Sequence, residues 1–272
     1  MCSVPPPPPP PPQTLELKHI NSPELPSYAE SNPTPKFPEI CEWSSENLEL
    51  WEACAKNNIC AQNAPFRYYY KPFESILQVG PTCGLAALSM LVRSKVTASE
   101  MLDICKLEGY SNNGEMLSCK DMVQLAEKVF SLAEIHGVNC GVVNGGLFSE
   151  DVIENLLKGA VLLVPYDADA NHSPCLRHGH KAHWALVSGI IIINNPGEAL
   201  NSDPENVFVL CKHGKSRYLA TWKLRDLYDS NRNLWEFTPP KGKENQLFIL
   251  PDGGIGGVNG LRNQFVIFNG LS

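Results

Sequence analysis

Residues Pro5 to Pro12 are an unbroken run of eight prolines, and more follow at 23, 26, 33, 35 and 38. Proline locks φ and carries no N–H, so such a run extends as a polyproline II rod and adds nothing to a packed core. Residues 1–40 are therefore expected to form a disordered proline-rich tail, with folding left to residues 41–272. The run reads either as a spacer or as a ligand for an aromatic groove of the profilin, SH3 or WW kind. With no arginine bordering it, profilin is the better match.

The remainder is rich enough in apolar residues to fold. Of the 272 residues 43% are hydrophobic and 19% charged, with a net charge of −7 from 22 basic and 29 acidic side chains. A general nucleic-acid binder needs a broad basic surface, and this balance argues against one. No run of 18 apolar residues exists to cross a membrane. Met1 to Val4 has neither the basic nor the apolar region of a secretory signal, so a cytoplasmic location is expected. The ten cysteines include no C-x-x-C pair and are expected to be free thiols.

Helical signals come first along the chain. The loop Gln78 to Gly84 leads into the apolar stretch Leu85 to Val92. Thr97-Ala98-Ser99-Glu100 has capping-box spacing, and helices are also expected from Ser118 and from Ser149 to Leu157. Strands are expected at Val161–Val164, His183–Ile193, Val207–Leu210, Gln246–Leu250 and Gln264–Phe268. Helices before strands predict an α+β fold with segregated packing. The aromatic stretch Cys41 to Phe73 reads as a packed lead-in.

Cys83 stands where a Gly-Pro loop meets a helix. Free N–H groups and the helix dipole favour a thiolate there. Gln78, five residues earlier, is placed to offer a side-chain amide to an oxyanion, with the Cys83 N–H as second donor. His183, at the head of a strand, is the candidate base, and it must reach the cysteine through folding. A buried structural cysteine and an ordinary strand histidine are the bland alternatives, but the Gln78…Cys83-Gly84 pattern favours catalysis. The group that orients the histidine is open among Asp203, Asp229 and Asn231. The next strand ends in Cys211-Lys212-His213-Gly214, without acid or amide. Between His172 and His183, four histidines and a cysteine allow an alternative zinc reading, although the spacing fits no regular module, and no metal or cofactor is expected. Arg177 and Lys181 in that loop are candidate contacts for an acidic substrate.

Several segments together carry a resemblance: Gln78 to Gly84, Gly114-Glu115-Met116, Val164 to Asp167, Gly179 to Ala185, Lys215-Ser216 and Tyr228 to Leu234. Across about residues 70 to 250 the chain resembles the actin maturation proteases, papain-like cysteine peptidases akin to those that trim double-glycine leaders. The resemblance implies a papain-like fold, with helices packed on an antiparallel sheet and a domain core at about 75–250. It implies removal of an acetylated N-terminal Met or Cys from immature actin, exposing an acidic terminus. Cys83 matches the nucleophile, His183 the histidine and Gln78 the oxyanion glutamine. The actin N-terminus is then the substrate, and profilin, held by Pro5–Pro12, would bring actin near. A non-catalytic profilin or actin adaptor and a thiol protease of ubiquitin conjugates are the competing expectations.

Overall fold

The computed structural model describes residues 42–44, 46–57, 59, 67–193 and 204–271. The proline-rich tail, its profilin reading and Asp203 lie outside these residues.

One seven-stranded sheet organises them. Its strands are β1 (Arg67–Tyr70), β2 (Asn139–Asn144), β3 (Val161–Asp167), β4 (Ala182–Ile192), β5 (Val207–His213), β6 (Ala220–Lys223) and β7 (Gln264–Asn269). They pair in the order β2-β7-β3-β4-β5-β6, with β1 added against β4, and every pairing is antiparallel. The long β4 is the centre. Its first half pairs with β3, from Asp167↔Ala182 to Leu162↔Val187, and its second half pairs with β1. At the changeover Gly189 lets β1 approach, because a Cβ there would lie 2.6 Å from the Tyr69 carbonyl oxygen.

Helices cover both faces of the sheet. On one face α2 (Cys83–Leu91), α3 (Ala98–Glu108) and α4 (Cys119–Leu132) build a core with Leu163, Trp184, Leu186 and Phe268. On the other, α5 (Glu150–Leu157) and α6 (Leu224–Arg232) pack on Leu162, Val164, Tyr166 and Ala185. With both faces covered, β3 is buried at all seven positions, which is why it shows no alternation. A third cluster seats α1 (Leu48–Lys56) against Ile191 and Leu210. There Lys212, 2% exposed, is ion-paired with Glu49 and donates to Ser75 Oγ at 2.8 Å.

The α+β class and antiparallel sheet agree with expectation. The capping box forms as read, Thr97 and Glu100 each closing on the other's backbone N–H. Ser118 and Ser149 cap α4 and α5 through their side chains. Two readings need correction. Helices and strands are interleaved, since β1 precedes α2 and β2 lies between α4 and α5. Residues Gln246–Leu250 form no strand. There Phe248 packs on Phe237 at 4.9 Å, and the Leu247 carbonyl accepts from Asn112 and Asn113 side chains at 3.2 and 3.1 Å. Those side-chain partners stand in for a ladder.

Candidate active site

Cys83 is the first residue of α2, behind Thr82. The Thr82 hydroxyl donates to the Val79 carbonyl at 2.9 Å and does not cap the helix. The first-turn N–H groups are thus left for an acceptor arriving from outside. Gly84 lets the helix lie flat on the sheet: a Cβ would sit 2.8 Å from Met122 Cε, 3.1 Å from Trp184 Cδ1 and 3.2 Å from Met116 Cβ. Its role is packing, because core side chains fill the space beside it.

The thiol is 8% exposed, and burial raises its pKa. The backbone N–H groups of Trp184, Gly84 and Cys83 itself oppose that rise, as does the nearby Lys215 cation. Trp184 follows His183 directly, so the hydrogen bond ties the sulfur to the mouth of β4. Cys83 and His183 line the same cavity, of about 760 Å³.

Burial pushes the His183 imidazole down to about 3, helped by His172, Lys215, His213 and Lys181. All four are bases, and none would stabilise an imidazolium. His172 packs edge-on against His183, with ring centroids 5.6 Å apart and planes at 89°, and lies 5.9 Å from His213. His213 is itself lowered to about 4 by burial and by His172, and its Nδ1 accepts the Lys215 N–H at 3.4 Å. The loop carrying His172 is pinned by Asp167, whose Oδ2 accepts from Arg177 N and from the Asn233 side chain.

Two of the open orienting candidates are engaged elsewhere. Asp229 accepts from Arg225 at 2.8 Å. Asn231 is buried and donates to the carbonyls of Pro165 and Gln264, each at 2.8 Å. Both residues lie within α6; Asn231 ties that helix to the sheet, whereas the Asp229 bond to Arg225 stays inside it. His172 and His213 were visible in the sequence as histidines, but only the folded loop brings them to His183.

Gln78 lines the cavity, and its backbone N–H donates to the Gly214 carbonyl at 2.8 Å. Its amide donates to the Gly80 carbonyl at 2.6 Å, leaving the second N–H of the NH2 group. Lys181 is also at the cavity, joined by Lys215, Lys241 and Lys243. Arg177 is not among the lining residues; it pairs with Asp169 at 2.6 Å. Met116, Leu117, Trp184, Phe237, Phe248 and Leu261 give the cavity an apolar lining as well. Among the described residues no three His, Cys, Asp or Glu side chains are grouped to hold a metal ion, and no helix is long and apolar enough to cross a membrane. The seven described cysteines are free.

Fold and cavity define an α+β protein whose central helix and central strand bring a thiol and an imidazole to one cleft. The description "Actin maturation protease-like, C-terminal domain" matches residues 73–191. The Drosophila melanogaster actin maturation protease is 41% identical over 232 residues, covering 85% of this chain and 82% of that protein. The Danio rerio protein of the same name is 33% identical, covering 72% of each chain. The Homo sapiens one is 32% identical, covering 66% of this chain and 60% of its own. The chain belongs to the actin maturation protease family.

Proposed function

We propose that this protein is a papain-like cysteine aminopeptidase that removes the acetylated N-terminal Met or Cys from immature actin, exposing the acidic mature terminus. The observation that carries this reading is the shared cavity: Cys83 and His183 line one cleft together with apolar side chains and four lysines. A blocked Met or Cys fits the apolar lining, and the carboxylates that follow it in the peptide suit the lysines. The name of the relatives, actin maturation protease, supports the substrate.

In this mechanism His183 takes the Cys83 proton as the sulfur attacks the carbonyl carbon of the blocked residue. The oxyanion is held by the Cys83 N–H and the free N–H of the Gln78 amide. As the intermediate collapses the C–N bond breaks, and His183 gives its proton to the leaving amine, the new actin N-terminus. Water, deprotonated by His183, then opens the thioester to the acetylated amino acid and the free thiol. Lys181 and Lys215 hold the acidic residues beyond the scissile bond; Arg177 acts from the loop behind them. The reaction belongs in the cytoplasm, where the Pro5–Pro12 run holds profilin and thereby concentrates actin.

Mass spectrometry of actin N-termini in cells whose only copy carries Cys83→Ala tests the assignment. Accumulated acetyl-Met or acetyl-Cys actin is expected; fully processed actin contradicts it. Purified protein offered acetylated actin peptides beside ubiquitin conjugates should cleave the former alone. Loss of residues 1–40 should abolish profilin capture and leave peptide cleavage intact.

A further inference from the structure

Part of the cavity lining is the segment Glu115-Met116-Leu117, in which the chemistry above gives Glu115 no role. It is held rigidly. The Met116 carbonyl accepts Trp184 Nε1–H at 2.8 Å, and Gly114 N donates to Ser111 Oγ at 2.8 Å. Gly114 has φ +108°, and a Cβ there would lie 2.6 Å from Thr82 Cγ2. Within this wall Glu115 is 6% exposed and lines the cavity. Its Oε1 takes one long hydrogen bond, 3.4 Å from Asn113 Nδ2. Its Oε2 is buried and finds no donor among the described residues. Buried carboxylate oxygens without donors are rare in native proteins, because desolvation goes uncompensated.

We propose that Glu115 receives the amide N–H of the blocked N-terminal residue whose carbonyl Cys83 attacks. This rests on the peptidase reading and adds the residue that recognises the blocked end. Position supports it: Met116 Cβ is 3.2 Å from where a Gly84 Cβ would be, so this wall stands beside the residue that follows the nucleophile. With the substrate carbonyl over the Cys83 sulfur, the N–H of the same residue lies one Cα away, on the side opposite the leaving amine. That N–H enters a region walled by Met116 and Leu117, where water is displaced. The orphan acceptor and the orphan donor satisfy each other there. A free α-ammonium carries the same N–H chemistry with a charge. Four lysines against two glutamates line this cavity, which favours the neutral donor.

The test is cleavage kinetics with the full chain on an acetylated acidic peptide and on an isostere with CH2 in place of that one N–H. Wild type should lose about 10²-fold or more in kcat/KM with the isostere. Glu115→Ala should be slow on the amide yet lose less than about 3-fold further on the isostere, its partner being gone. Glu115→Gln keeps an acceptor oxygen and should keep the sensitivity; it also serves if the alanine variant does not fold. Equal losses in wild type and Glu115→Ala overturn the proposal. So does a wild-type preference for the unblocked peptide that disappears in Glu115→Gln, which would reassign the carboxylate to an ammonium. A Cys83→Ala control separates the two levels: cleavage surviving in it sinks the peptidase reading, whereas its inactivity alongside uncoupled Glu115 variants sinks this assignment alone.

Discussion

Gly214→Ala should disable catalysis without unfolding the protein, and the size of the effect follows from one contact. The new Cβ would lie 2.8 Å from Gln78 Cβ, 2.9 Å from Oε1 and 3.2 Å from Cγ. The Cβ contact cannot be relieved by swinging the amide alone, since it is the fixed end of the side chain. Gln78 is also tethered through its N–H to the Gly214 carbonyl at 2.8 Å, so it cannot retreat as a unit. Gly214 is not among the positive-φ glycines, so alanine meets no backbone penalty there. The overpacking should cost about 1–3 kcal/mol of stability. Losing one oxyanion donor costs about 10²–10³-fold in kcat. Steady-state kinetics on an acetylated actin peptide should therefore show kcat down about 10²-fold and KM changed less than about 3-fold. Gln78→Ala should match it, and the double variant should be no slower than Gln78→Ala alone. If Gly214→Ala keeps kcat within about 3-fold of wild type while Gln78→Ala falls, the positioning argument is wrong. If the two losses simply add, they act through different causes and it is equally wrong.

Three further outcomes are expected. His183 and His213 are held neutral in the fold with pKa values of about 3 and about 4, against about 6.5 when unfolded. Between those limits the unfolded chain binds more protons, so stability is full above pH 6.5 and falls as pH drops toward 4, by up to roughly 3 kcal/mol for each histidine; thermal melts from pH 7 to 4.5 should show the slope, and His213→Gln should flatten it. Lys215→Ala removes the cation that lowers the Cys83 thiol, so iodoacetamide labelling at pH 8 should slow several-fold, while Lys56→Ala, remote from the cavity, should not change it. Glu49→Ala leaves Lys212 buried without its counter-ion and should cost about 1–3 kcal/mol, discounted because Glu49 is about one-third exposed; equal urea midpoints for variant and wild type would contradict it.

The chain advertised its local features and hid its long-range ones. The capping box at Thr97, the serine caps and the apolar run of β3 are fixed by neighbours in sequence, and they were readable. The thiol at a helix start and the imidazole at a strand mouth were readable for the same reason. β2 was not, because Asn139-Cys140-Gly141-Val142-Val143-Asn144 is short, interrupted by glycine and specified by pairing with β7. β6, Ala220 to Lys223, has too few residues for a period and is defined by β5. Phe248 and Leu250 mimic alternation, yet the Asn112 and Asn113 side chains hold that segment off the sheet. In the site, Lys241 and Lys243 reach the cavity from more than 50 residues beyond His183, and no local pattern marks them.

The corner that ends β5 accounts for the basic surroundings of His183 among the described residues. Three successive residues there serve three functions: His213 backs His172 against His183, Gly214 leaves room for Gln78, and Lys215 lowers the thiol. A carboxylate in place of His213 would raise the His183 pKa and draw the pair toward thiolate and imidazolium at rest. With bases alone around it, His183 stays neutral, and the buried sulfur keeps its proton. Such a pair holds a base ready across the neutral range and a thiol that reacts slowly with stray electrophiles. In the proposed mechanism an acidic substrate brings further carboxylates to a cleft that already holds Glu115 and Glu244 beside four lysines, and the charge that favours proton transfer comes with the peptide to be cut.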